Sequence, residues 1–324
     1  MALLGLDLGG TKLAIAGFSH KGNILFNEKI ILGGRKGKEV GALITETIQQ
    51  SMQRCALLGS AVSSIGVSIP GIYHKNRGTV WAPNIPGWED YPLLDELTAI
   101  GGSATATIES DRACYILGEA WKGNAQGCRD AIFLAVGTGI GAGILVNGTI
   151  LRGAHDIAGA IGWMALSQPF MNEYEGCGCF DFHASGEGIA KVARMYLRES
   201  KTYQGELASK FEIMTAHDVF AALDNRDPVA IRTVRDAIRF WGMAVANLVS
   251  LFNPEKIILG GGVFGPALSF LPDIQEEARR WGQPVSVRQY KLEGSALGGD
   301  AGVYGAGYLA LMHDAAYSKK PTSL

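Results

Sequence analysis

A chain of 324 residues that is 47% apolar and 19% charged has the material for one large or two medium domains around a real core. Its net charge of −2 and scattered Lys and Arg exclude the basic face that nucleic acid or an anionic membrane requires. The opening MALLGLDLGG lacks a basic leader and no apolar run approaches the about 18 residues of a spanning helix. Five irregularly spaced cysteines, Cys55, Cys114, Cys128, Cys177 and Cys179, fit a reduced protein, so a cytoplasmic location is expected.

The apolar run 2–7 predicts a strand that ends in the turn Asp7-Leu8-Gly9-Gly10-Thr11-Lys12. Residues 13–18 are short and partly β-branched, so a second strand follows and the glycine turn joins a hairpin. A third strand is predicted over 23–31. From 40 to 58, Leu43, Ile44, Thr47, Ile48, Met52 and Cys55 share one face, the spacing of an amphipathic helix. Strands at 64–69 and 105–109 follow, the first closed by Pro70-Gly71, then a helix at 113–121.

The opening pattern then returns. Residues 131–136 form an apolar strand, 137–143 a glycine turn and 144–146 another strand, so an internal duplication is expected. Helices are predicted at 187–199, 215–223 and 229–252, the last stopped by Asn253-Pro254. The strand 256–259 runs into Gly260-Gly261-Gly262, and a small-residue helix over 296–312 closes an α/β pattern of two halves.

Glycine occurs 44 times, about twice the average, and in clusters that mark tight turns or close approach to a ligand. Three clusters stand at strand ends, around Gly9, Gly137 and Gly260. Singly, each is a tight turn or an anion site; three in two similar halves favour nucleotide phosphates, whose oxygens approach bare backbone N–H groups. The first lacks P-loop spacing, and both the first and second open a strand, which excludes the P-loop and the dinucleotide fingerprint. Asp111, at the carboxyl end of a strand, has the chemistry of a general base and equally that of a helix N-cap.

The ordered series Asp7 to Lys12, Ser68-Ile69-Pro70-Gly71, Asn84 with Gly87-Trp88, Ser110-Asp111, Val136 to Gly143, Gly153-Ala154-His155, and Phe252-Asn253-Pro254 with Gly260 to Gly262 covers nearly the whole chain. It resembles the ROK family of sugar kinases and repressors. The resemblance implies an α/β fold of two similar actin-like (ribonuclease H-like) domains with a ligand cleft between them. The expected division is 1–112 with about 300–324 as one domain and 113–299 as the other. It also implies ATP and Mg²⁺ as cofactors and a sugar or sugar-like substrate, without nucleic acid or membrane partners. On this resemblance Gly9, Gly10, Thr11, Lys12, Gly137, Thr138, Gly139 and Gly141 hold the phosphates, and Gly260, Gly261 and Gly262 the adenosine side. Asp7 orients Mg²⁺ or its water shell. Asp111 is the catalytic base, and Gly71, Asn84, Ser110, Asp111 and Asp181 border the sugar.

The chain departs from the family at several of these positions. Ser110 replaces the usual Asn, Ala160 a sugar-contacting Glu, and Trp163 a His that contacts sugar and ligates a structural zinc. Asp181 matches a family Glu. Of the zinc-binding cysteine pattern only the end persists in Cys177 and Cys179, with Asn172 and Tyr174 at the other cysteine positions, so no structural zinc is expected. Ala160 and Trp163 alter the reducing-end pocket, which suits a β-glycoside, disaccharide, aminosugar or cyclitol. An ordinary kinase of glucose, fructose or an N-acetylhexosamine is the alternative, and a non-catalytic sugar sensor the third reading. With six residues ahead of Asp7, no DNA-binding domain of the repressor kind is expected, and a homodimer is.

Overall fold

The computed structural model describes residues 1–200 and 202–314. Beginning at the N-terminus, β1 (Ala2–Leu8), β2 (Lys12–Ser19) and β3 (Ile24–Ile31) form an antiparallel meander, with Gly9 N–H donating to Lys12 O at 2.8 Å across the first turn. α1 (Lys38–Leu57) buries Ile44, Thr47, Ile48 and Cys55 of the predicted stripe, with Leu43 and Met52 half-buried and Val40 added to it. β4 (Val62–Ile69) lies parallel to β1, and the small hairpin β5 (Ile72–His74) and β6 (Thr79–Trp81) follows. After α2 (Leu93–Gly101), β7 (Thr105–Ser110) completes a sheet of order β3-β2-β1-β4-β7 and passes directly into α3 (Asp111–Lys122). Leu4, Leu6, Ile65 and Val67 are fully buried in its central strands, as parallel strands covered on both faces require.

The second sheet repeats this order. β8 (Ala131–Val136) pairs antiparallel with β9 (Ile140–Val146), which neighbours β10 (Thr149–Ile150). Helices α4 (Cys179–Ala184), α5 (Gly186–Glu199), α6 (Ala216–Asp224) and α7 (Pro228–Phe252) precede β11 (Lys256–Gly260), which is parallel to β8. α8 (Leu271–Trp281) then leads to β12 (Lys291–Gly294), giving β10-β9-β8-β11-β12, and α9 (Ala301–His313) returns to the first sheet. Strand for strand, the two sheets have one topology, which is the duplication read from the glycine turns.

The chain divides into two compact units, one of Met1–Gly127, Ile150–Ala158 and the segment from Ala296 on, the other of Cys128–Thr149 and Gly159–Ser295. The boundary expected between 112 and 113 therefore falls between 127 and 128. Backbone contact explains the shift: a Cβ on Gly118 of α3 would stand 2.3 Å from Ala301 O of α9, so α3 packs with the first unit. In the second unit α7 is capped by Asp227, whose carboxylate accepts from Val229 and Ala230 N–H at 2.9 and 3.0 Å, worth about 1 kcal/mol. It stops at Asn253, in the left-handed conformation before Pro254. Its Trp241 is fully buried and donates from Nε1 to Ala184 O at 3.0 Å.

Among the described residues no helix is long and apolar enough to cross a membrane. The second strand of the repeat begins at Ile140 rather than 144, so Gly141 and Gly143 belong to β9 and the glycine turn is confined to 137–139. The closing helix starts at Ala301 rather than 296 because a 3-10 turn, Gly298–Asp300, precedes it. The predicted tail beyond residue 314 lies outside the described residues.

Candidate functional site

In the first unit, Asp7 is the penultimate residue of β1. Ser68, at the same level of the neighbouring parallel strand, donates its hydroxyl to Asp7 Oδ1 at 2.6 Å. A Cβ on Gly302, second residue of α9, would stand 2.3 Å from Asp7 Oδ2, so only glycine lets that helix start against the carboxylate. Desolvation pushes the Asp7 carboxyl above its ordinary range, opposed by the Ser68 hydrogen bond and by Lys12. Gly10, Thr11 and Lys12 are exposed at the tip of the hairpin, and the Cβ of Asn84 lies 3.5 Å from where a Gly10 Cβ would be. Gly71 is required by close approach, since a Cβ there would meet Trp81 O at 2.0 Å. Trp88 is a packing residue, 1% exposed, stacked on Tyr91 at 4.4 Å and donating to Gly37 O.

At the end of β7 the N-cap of α3 is Ser110, whose Oγ accepts from Ala113 N–H at 3.4 Å. Asp111 is thereby relieved of the capping role its sequence position left open. Its Oδ1 accepts from Arg112 N–H at 2.7 Å and its Oδ2 from Tyr115 OH at 3.5 Å. Desolvation, with a contribution from Asp7, pushes Asp111 up to about 6 against the pull of Arg112. Next to it Glu109 is buried, accepting from Ser110 N–H at 3.1 Å and from Arg152 Nε at 2.7 Å. Arg152 reaches this cluster from a separate crossing of the chain, which no local pattern announces.

In the second unit the turn 137–139 is closed by Gly137 N–H donating to Gly139 O at 2.9 Å, with Thr138 and Gly139 exposed. The N-terminus of α5 ties to it: Gly186 N–H donates to Gly137 O at 2.8 Å. A cavity of about 570 Å³ opens beside this turn, bordered by Thr138, Lys191, Thr215, Phe220 and Gly262. Arg194 donates to Met214 O at 3.2 Å and holds the segment that walls it. Of the third glycine cluster only Gly262 borders the cavity. Gly260 and Gly261 answer to packing, with Cβ positions 2.2 Å from Phe133 Cζ and 2.4 Å from Val136 O. Gly141, expected in the phosphate turn, is buried in β9 opposite Ala135.

Ala160 is partly buried and caps a 3-10 turn, Ile161–Trp163, whose Trp163 is 58% exposed. Asp181 is partly buried, its Oδ2 lying 2.6 Å from where a Cβ on Gly162 would be, and burial pushes its carboxyl up to about 6. Cys177, Cys179 and His183 do not fit a zinc ion. His183 Nε2 is bonded to Tyr174 OH at 2.7 Å and its ring stacks on Phe240 at 4.2 Å. Among the described residues no group of three or more His, Cys, Asp or Glu stands ready for a metal.

Burial holds the His183 pKa down at about 4, so the folded protein keeps it neutral while the unfolded chain protonates near 6.5. Its contribution is complete above about 6.5 and is lost as pH falls towards 4. The melting temperature of the wild type should therefore fall more steeply between pH 7 and 4.5 than that of His183→Phe. Parallel slopes would contradict the buried neutral imidazole.

The sequence profile described as the ROK family matches residues 3–313. A glucokinase of Halalkalibacterium halodurans is 33% identical over 98% of this chain and 97% of its own length. Among solved structures, a ROK hexokinase from Thermus thermophilus superposes with a TM-score of 0.80 at 29% identity, covering 96% of this chain and 98% of that one. A ROK family glucokinase from Streptomyces griseus, in complex with glucose and AMPPNP, gives 0.75 at 28% identity, covering 96% and 100%. With these likenesses over almost its full length, and two sheets of one repeated topology, the chain belongs to the ROK family and has the actin-like ATPase fold.

Proposed function

We propose that this protein transfers the terminal phosphoryl group of ATP to a hydroxyl of a sugar, with Asp111 as the general base. The observation that carries this reading is the state of Asp111. Ser110 takes over the helix cap, while burial and Asp7 bring the Asp111 carboxyl to about 6, near the working pH at which a base is most effective. Ionised, Asp111 accepts the proton of the attacking hydroxyl as its oxygen bonds to phosphorus and the bond to the ADP oxygen breaks. Phosphoryl transfer asks little else of a protein than positioning and charge neutralisation. Mg²⁺, arriving with ATP, supplies part of that neutralisation, and Asp7 offers the hard oxygen donor that suits it. Glycine amides at 9–10 and 137–139 serve the phosphates, and the cavity beside Gly262 takes the nucleoside. Tyr174, His183 and Phe240 hold the 164–178 segment without zinc.

The substrate is extended at its reducing end. Ala160 and Trp163 stand where the resemblance puts a carboxylate and an imidazole, and the exposed indole gives an apolar face for a second ring or an aglycone. The glucokinase relatives favour glucose itself. ADP release with glucose, N-acetylhexosamines, β-glucosides, disaccharides and cyclitols separates the two. The extended reading expects β-glucoside to exceed glucose in kcat/KM, and Trp163→Ala to lower that ratio about tenfold. Glucose as the best substrate, with a ratio indifferent to Trp163, would instead make this an ordinary hexokinase.

A further inference from the structure

Within the first unit, the chain between β6 and α2 is fastened to the start of α1 at three points. Gly37 N–H donates to Pro86 O at 2.8 Å, and Trp88 Nε1 donates back to Gly37 O at 3.0 Å. The third point is a pair of side chains. Tyr91 donates its hydroxyl to Glu96 Oε1 at 2.7 Å, and a Cβ on Gly41 of α1 would stand 2.0 Å from that hydroxyl, so the pair lies directly against the helix. Glu96 Oε2 is buried with no hydrogen-bond partner among the described residues, so Tyr91 is what ties the carboxylate down. Desolvation and Glu96 push the Tyr91 phenol far up, which keeps it a donor. Inside the loop, Trp88 stacks on Tyr91 at 4.4 Å, and the Ala82, Ile85 and Trp88 amides donate to Trp88, Ala82 and Ile85 O at 2.8, 3.0 and 3.1 Å. Those three residues are buried, whereas Asn84 between them is exposed beside Gly10.

We infer that the Tyr91–Glu96 hydrogen bond is a latch for the sugar side of the site: Tyr91 and Glu96 are positioning residues that fix the loop carrying Asn84 before substrate arrives. The inference rests on the kinase reading, in which Asn84 borders the sugar. A loop ordered in advance spares the binding step the cost of ordering it. Tyr91→Phe keeps the stack on Trp88 and takes from the Glu96 carboxylate its hydrogen bond. Gly41→Ala drives a methyl into the place of the Tyr91 hydroxyl while favouring the helix itself. Glu96→Gln keeps a carbonyl oxygen that accepts from Tyr91.

The test measures AMPPNP affinity by calorimetry, and kcat and KM for glucose and methyl β-glucoside, in these three variants, each first shown to be folded by thermal melting. Expected in Tyr91→Phe and Gly41→Ala is a sugar KM raised about tenfold, with kcat within about twofold and AMPPNP affinity unchanged. With no sugar present, hydrogen exchange at the Ala82, Ile85 and Trp88 amides should be faster than in the wild type. Glu96→Gln should stay within about threefold of the wild-type KM. A wild-type sugar KM in Tyr91→Phe would make the pair ordinary packing and overturn the inference. So would AMPPNP affinity lost in step with the sugar KM, or exchange at the three amides equal to wild type. If Gly41→Ala does not fold, Tyr91→Phe decides alone. Should the wild type phosphorylate neither sugar, the kinase reading fails, and the exchange contrast still judges the latch.

Discussion

Replacing Asp111 with Asn is expected to lower sugar phosphorylation by a factor of about 10²–10⁴, the usual contribution of a general base, while AMPPNP binding stays near wild type. Asn preserves the size of the side chain and an oxygen for Arg112 N–H, and removes only the capacity to take a proton. The wild type should also show an acidic limb in kcat/KM. With the Asp111 carboxyl raised to about 6, the ionised form that accepts the proton is depleted below that pH, and activity falls about tenfold per unit. The residual activity of Asp111→Asn should lack this limb. Full activity in the variant would remove Asp111 from the chemistry. A limb that survives unchanged would assign it to another group, and Asp181, also raised to about 6, is the first to examine.

Gly305→Ala is expected to cost about 3 kcal/mol of stability, at the upper end of overpacking effects. A methyl at this position would stand 1.7 Å from Cys114 O, and the obstacle is backbone, which cannot rotate away. Gly118 meets Ala301 O from the other helix, so α3 and α9 touch main chain to main chain. The consequence reaches the chemistry, because α3 begins with Asp111 and α9 begins against Asp7. Urea unfolding of Gly305→Ala beside Gly176→Ala, where nothing lies within 4 Å, provides the comparison. A midpoint equal to that of the control would contradict the close helix contact.

Much of this architecture is legible in the sequence, for identifiable reasons. The strands 2–7 and 131–136 read correctly because strands covered on both faces are nearly continuous apolar runs, and 64–69 because Ile65, Val67 and Ile69 alternate up to Pro70-Gly71. Asn253-Pro254 announced the end of α7 because a left-handed residue before proline cannot continue a helix. Other elements were hidden. α2 spans nine residues behind Pro92, and β12 is four residues of partly buried chain, so neither carries a sustained period. α8 buries only Ile274 and Ala278 on an otherwise polar helix, too narrow a stripe to stand out.

At the site, glycine alone did not reveal its purpose. Gly9, Gly10, Gly137, Gly139 and Gly262 lie in turns, whereas Gly141, Gly260 and Gly261 are small to fit neighbouring backbone and side chains, and only the folded chain separates the two demands. Ser110 departs from the family habit yet caps α3, a role that Ser at a helix start does signal. Glu109 and Arg152 stand 43 residues apart and meet only because the chain re-enters the first unit at 150–158.

The most direct test of phosphoryl transfer is to quantify ADP and phosphorylated sugar together after incubation with Mg²⁺, ATP and the best sugar of the panel. The two products are expected in equal amounts, only when sugar is present, and Asp111→Asn is expected to suppress both. ADP formed without sugar phosphate, or sugar bound with neither product formed, would contradict phosphoryl transfer.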